Sequence, residues 1–191
     1  MTIIERNVEV GMVRADLEGI PHHALPPGYS VRWYRPGDEE LWVGLQSAAD
    51  KLNPITPELF QRAFGSDAKV LAERQCFLCA PNGTAIGTAT AWFDDMHNRP
   101  AYGRLHWVAI APETQGRGLC KPLLTVVLNR MRELGHERAY LTTSTARIRA
   151  INLYLKFGFV PEVRNANDYA AWRGLREYLK EPFVLNEFTQ T

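Results

Sequence analysis

The sequence predicts an α+β domain in which helices pack on one mixed sheet. Three observations carry that prediction. Short runs rich in β-branched and aromatic residues, bounded by Gly, Pro and Asn turns, recur along the chain. Segments with apolar positions at helical spacing stand between them. One strand-like run, Leu105 to Ala111, passes through a glycine-bearing turn straight into an apolar helix. At 191 residues the chain is long enough for one domain with a full core, or for a domain with an extension.

Residues 1–28 read as an N-terminal extension packed on a domain of residues 29–191. Thr2 to Val13 alternates enough to add an edge strand, and Pro21, Pro26 and Pro27 hold the remainder extended over the surface. Tyr29 to Tyr34 alternates as a first strand. Asp38 then suits the N-cap of a helix through Ala49, with Leu41, Trp42, Leu45 and Ala48 on one face. Thr56-Pro57-Glu58 starts a short helix to Phe64, with Pro57 at its first position. Strands at 74–80 and 85–93 flank the turn Pro81-Asn82-Gly83, and Asp94 to Pro100 is a polar loop.

The strand from Tyr102 to Ile110 leads into the glycine loop and a helix of 118–134 that stops at Gly135, a C′ residue. His136 to Thr143 supplies another strand, Arg147 to Phe157 a helix ended by Gly158, and Phe159-Val160 the start of a further strand. Asn167 to Leu179 reads as an amphipathic helix, and Phe183 to Phe188 alternates as a last strand.

Composition excludes more than it proposes. Hydrophobic residues make up 46% and charged residues 23%, ordinary for a globular chain, and 22 basic against 21 acidic residues leave a net charge of +1. That balance offers no polyanion footprint, so no nucleic-acid partner is expected. No apolar run approaches the roughly 20 residues that cross a bilayer, and Met1 to Arg6 is not a signal peptide. The expectation is a cytoplasmic protein without a membrane partner. Cys76 and Cys79 form a C-x-x-C inside a strand, where residues three apart point to opposite faces, so they read as ordinary buried thiols. His22 and His23 are adjacent and read as solvated. No metal is expected.

The stretch between Leu105 and Leu124 carries the chemistry. Gly116 and Gly118 allow positive φ and close approach to the backbone, and a loop opening a helix aims free N–H groups at one spot. It suits a phosphate or pyrophosphate, although a plain strand-to-helix turn uses glycine too. The spacing is neither G-x-G-x-x-G nor a P-loop. It is Gln115-x-x-Gly118-x-Cys120 after a strand and Pro112-Glu113. A second segment, Ala150 to Phe159, reads A-x-x-L-Y-x-x-x-G-F. Together, in this order, the two motifs resemble the GNAT superfamily of acyl-CoA-dependent N-acetyltransferases over about residues 29–161.

The resemblance implies a mostly antiparallel GNAT-like sheet, splayed at the acyl-CoA site. It implies that the N–H groups of Gly116, Arg117, Gly118, Leu119, Cys120 and Lys121 hold the pyrophosphate of acetyl-CoA, with Gln115 beside them in the cofactor site. Cys120 stands where the family usually has Gly or Ala. Val108, Ala109 and Ile110 would offer unpaired backbone groups to the pantetheine arm, with the Val108 N–H on the thioester carbonyl. Tyr154 matches the family's general acid to the CoA sulfur. His106 lies where many members carry a Glu, and the Leu105-His106-x-x-Ala109 pattern is similar to arylalkylamine N-acetyltransferases, with Arg104 in place of their first His. His106 is therefore either the general base or a histidine hydrogen-bonded in the sheet. Arg147 replaces an Asn that in some members bonds the CoA arm, and suits a phosphate or an acidic acceptor.

The expected activity is direct acetyl transfer from acetyl-CoA to a primary amine, small-molecule before peptide or protein. A non-catalytic acyl-CoA-binding or sensing module is the alternative, and a homodimer is open.

Overall fold

A computed structural model describes residues 1–93 and 102–185. Seven strands form one sheet: β1 (Glu9–Arg14), β2 (Ser30–Trp33), β3 (Gln75–Cys79), β4 (Ala85–Phe93), β5 (Tyr102–Ile110), β6 (Arg138–Ser144) and β7 (Val160–Glu162). Six α-helices join them: α1 (Asp38–Ala49), α2 (Pro57–Phe64), α3 (Ala68–Arg74), α4 (Cys120–Glu133), α5 (Ile148–Lys156) and α6 (Ala166–Leu175). The strand order is β2-β3-β4-β5-β6-β1-β7. Every pairing is antiparallel except β5 with β6, whose strands are joined by the crossover through α4.

The core forms where the helices cover the middle strands. α4 turns Leu123, Leu124, Val127, Leu128 and Met131 inward, all fully buried, at the i, i+3, i+4 spacing of an amphipathic helix. α1 and α2 contribute an aromatic knot. The Trp42 ring meets Phe60, Phe64 and Trp107 edge-on at 5.3, 5.5 and 5.2 Å. Such edge-to-face pairs add to area burial, and here they tie both helices to β5.

Several expectations change. β1 is not an edge strand: it lies between β6 and β7, pairing Val10 with Thr143 on one side and Met12 with Pro161 on the other. Its Val10 and Met12 are fully buried, so residues 1–28 supply part of the core. Arg14 seals its end by donating to the carbonyls of Phe157, Asp16 and Glu18. The helix α3 was not expected; Asp67 caps it by accepting the Lys69 and Val70 N–H groups, and β3 accordingly starts at Gln75. Asp38 is the first residue of α1 rather than its cap, because its carboxylate takes the Arg35 N–H and pairs with Arg32 at 2.6 Å. α6 ends at Leu175, short of Leu179.

Phe183 to Leu185 form no strand, and 186–188, like the polar loop at 94–100, lie outside the described residues. Cys76 and Cys79 are buried free thiols, and burial pushes Cys76 up to about 12. His23 packs against Phe157 at 5.7 Å instead of standing solvated. No helix among the described residues is long and apolar enough to cross a membrane.

Candidate active site

β5 positions the site because it parts from β6. Their pairing runs from Tyr102↔Arg138 to Arg104↔Tyr140, and no further pairs follow among the described residues. β6 continues to Ser144 with β1 as its partner, so the two halves of the sheet diverge beyond Arg104. A cavity of about 810 Å³ opens there, lined by Arg104 to Ile110, Gln46 and Asp50 of the α1 side, Thr142 to Ser144 of β6, and Arg147 and Tyr154. Backbone N–H and C=O groups along this flank of β5 lack a strand partner, and a buried amide needs one.

β5 is also bulged. Thr90 pairs with His106 and Thr88 with Ala109, so three steps on β5 face two on β4. Trp107 absorbs the extra residue at φ 50°, in the left-handed region that a bulky side chain rarely enters. Strict strand alternation would put His106 and Val108 on one face, and the bulge breaks it there. All seven residues from Arg104 to Ile110 consequently reach the cavity wall. Gln46, 2% exposed, holds the bulge by donating from Nε2 to the Trp107 carbonyl at 2.8 Å.

At one end the cavity wall reaches Gln115, whose Nε2 donates to the Ile110 carbonyl at 2.9 Å and fastens the loop to β5. Gly116 and Gly118 take φ of 79° and 76°. Leu119, at the N-cap of α4, offers no side-chain acceptor. Among the described residues nothing accepts from the N–H groups of Gly116 to Cys120, whereas Lys121 N–H is taken by the Gly118 carbonyl. Five amides at the positive end of a 14-residue helix thus stand open, a cradle for a phosphate group. Lys121 therefore contributes no free amide, contrary to expectation, because it already closes the first turn.

The two candidate proton carriers flank the splay. Tyr154, on α5, is buried, and burial raises its phenol far above the ordinary value, with nearby Cys120 adding to the rise. It is a neutral O–H donor at pH 7. The Cys120 thiol is pushed up to about 12 by burial and stays protonated as well. His106 meets Phe64 at 5.5 Å, ring to ring. Desolvation, with the Arg104 charge behind it, lowers its imidazole well below 6.5, so the ring is neutral. Among the described residues its nitrogens have no hydrogen-bond partner, so it is not hydrogen-bonded in the sheet.

The far end of the cavity is polar. Arg147 donates from Nη2 to Asp50 at 2.8 Å and from Nη1 to Ser144 Oγ at 3.2 Å. Burial works against the Asp50 charge, yet hydrogen bonds from Asn53, the Leu52 N–H and Arg147 hold its carboxyl below the usual range. Asn152 faces away, its amide oxygen accepting the N–H groups of Lys180 and Glu181. Gln46 and Asp50 escaped the sequence reading. One signal was present for Gln46, which falls four residues after the buried Trp42 and so shares its inward face.

An open amide loop ahead of a helix, beside a bulged strand that leaves its parallel neighbour, gives the chain a GNAT-like splayed sheet. The chain belongs to the acetyltransferase (GNAT) family, whose model matches residues 45–159. Among curated proteins it is similar to mycothiol acetyltransferase of Pseudarthrobacter chlorophenolicus, 31% identical over 73% of this chain and 45% of the relative. It is equally similar to mycothiol acetyltransferase of Streptomyces coelicolor, 31% identical over 80% and 50%. The chain spans about half the length of the curated relatives it matches. Among solved structures, a GCN5-related N-acetyltransferase from Sphaerobacter thermophilus superposes with a TM-score of 0.67 at 22% identity, over 81% of this chain and 48% of that one. That likeness concerns the fold.

Proposed function

We propose that this domain transfers an acetyl group directly from acetyl-CoA to the primary amine of a small molecule. The observation that carries the reading is the divergence of β5 from β6 beyond Arg104↔Tyr140, followed along the chain by the open amides of residues 116–120. A pyrophosphate on that loop directs an extended thiol arm along the unpaired flank of β5. The Val108 N–H then donates to the thioester carbonyl and stabilises the oxyanion as the amine attacks. Neutral His106 accepts the proton that the amine gives up. The C–S bond breaks, and Tyr154 delivers its proton to the departing sulfur. An amide and free CoA result, with both residues restored by proton exchange with solvent.

The naming of both relatives as mycothiol acetyltransferases supports a small-molecule acceptor. Thiol release from acetyl-CoA, followed over a panel of polar amines, amino acids, arylalkylamines and short peptides, tests the reading. Release that depends on the amine and is lost in Tyr154→Phe supports it. Tight acetyl-CoA binding without release for any amine would replace it with an acyl-CoA-binding module.

A further inference from the structure

We infer that Arg147 is the residue that selects the acceptor, by receiving a carboxylate carried on the same small molecule as the amine. The inference rests on the transferase reading above and extends it to the acceptor's second functional group.

The hydrogen-bond inventory at the polar end of the cavity assigns the roles. Asp50 Oδ1 accepts the Leu52 N–H at 2.8 Å, while Oδ2 accepts Asn53 Nδ2 at 2.7 Å and Arg147 Nη2 at 2.8 Å. With three donors on two oxygens, the Asp50 carboxylate is engaged, and its side chain is 11% exposed. It serves as a buttress. Arg147 is the opposite case. A guanidinium has five N–H donors; Asp50 and Ser144 take two of them, and none of the other three has an acceptor among the described residues. Its side chain is 32% exposed and lies on the cavity wall.

The buttress matters because it sets the plane of the fork. Asp50 follows α1, which packs on the β5 half of the sheet, and Arg147 follows β6 on the other half, 97 residues away in sequence. Their bond crosses the cleft where the strands have parted. A guanidinium held at two of its edges keeps a fixed orientation, and a fixed planar fork matches a carboxylate better than a single hydroxyl. Arg104, two residues before His106, also lines the cavity, with its Nη2 donating to Thr142 Oγ1 at 3.1 Å, so Arg147 is the guanidinium with donors to spare.

The test pairs acceptors that differ only in the anion: α-amino acids against the amino alcohols made from them, such as alanine with alaninol and phenylalanine with phenylalaninol. In the wild-type protein kcat/KM is expected to favour the acid at least tenfold, expressed mainly in KM. Arg147→Gln should erase that preference, and Arg147→Lys should restore part of it. Equal use of acid and alcohol by the wild type would overturn the inference. So would an Arg147→Gln variant that keeps the preference while its acetyl-CoA Kd rises, which would place Arg147 on the thiol arm. Calorimetric binding of the amino acid to the CoA-loaded protein separates the two readings. Absence of transfer with any amine refutes the reaction, whereas equal affinity of wild type and Arg147→Gln for the acid refutes the carboxylate contact.

Discussion

The amide of Gln46 reaches from the inner face of α1 to the carbonyl of Trp107, 2.8 Å away, at the one residue of β5 with positive φ. A helix side chain thereby stabilises a strand conformation that local sterics disfavour, as a strained backbone persists only when its surroundings hold it. Gln46→Leu removes the donor and leaves a part-buried carbonyl without it, at a cost of about 1 kcal/mol. The expected result is a lower midpoint in urea unfolding. Because the neighbouring Val108 amide is displaced, kcat should also fall, by roughly tenfold or more, and by more than the acetyl-CoA affinity falls. Unaltered turnover would separate the bulge from catalysis.

Tyr154→Phe keeps the ring that packs edge-on to Phe159 at 6.1 Å and deletes only the O–H. Folding and acetyl-CoA Kd should hold, while kcat drops about 10²-fold or more, the usual contribution of a positioned acid. Stopped-flow thiol release reads the difference. The phenol's raised pKa puts loss of the acid above the range of ordinary assays, so wild-type activity should not decline on Tyr154's account between pH 7 and 9.

His106 makes an opposite pH signature. Its folded-state pKa lies well below the unfolded value of about 6.5, so below pH 6.5 the unfolded chain binds the extra proton first. Stability should decline as pH falls from 6.5 toward the folded pKa, and His106→Gln should flatten that part of a Tm-against-pH curve. Asp38 and Asp50, both held below their ordinary range, lose their contribution only below about pH 4, outside that window. The acidic limb of kcat should likewise lie under pH 6.5 and vanish in His106→Gln.

Two glycines fail for different reasons. At Gly118 a side chain meets nothing within 4 Å, but φ is 76°, so Gly118→Ala costs about 1–2 kcal/mol of backbone strain. Gly118→Trp should in addition abolish acetyl-CoA binding in a calorimetric titration. At Gly87 the conformation is ordinary and the space is missing. A Cβ would stand 2.7 Å from Ile110 Cδ1 and 2.9 Å from the Ala109 carbonyl. Gly87→Ala should destabilise by about 1–3 kcal/mol through overpacking against the bulged strand. An increase in stability at either position would contradict these accounts.

What could be read from the chain and what could not divides along sequence separation. Thr56 capping α2, the Pro81-Asn82-Gly83 turn, Gly135 at φ 85° and the whole run from β5 through the glycine loop into α4 depend on neighbours within a few residues, and their residue types announce them. Tyr154 stood out only through the A-x-x-L-Y-x-x-x-G-F motif, and the structure puts it on α5 at the cavity wall. By contrast, alternation in residues 2–13 announced a strand but not its place, because a period of two is the same at an edge and in the interior. Pairing with β6 and β7 decided it.

The bulge at Trp107 is likewise silent in β5, because the register of β4 and the reach of Gln46, 61 residues away, create it. The Asp50–Arg147 bridge joins residues 97 apart across a cleft that exists only once the strands diverge. By itself the sequence determined the local geometry of the glycine loop and of the helices that flank it, since backbone sterics and side-chain spacing act over short range. Only the tertiary structure decided which side chains face each other over the cavity, because those contacts form when distant segments pack on a common sheet.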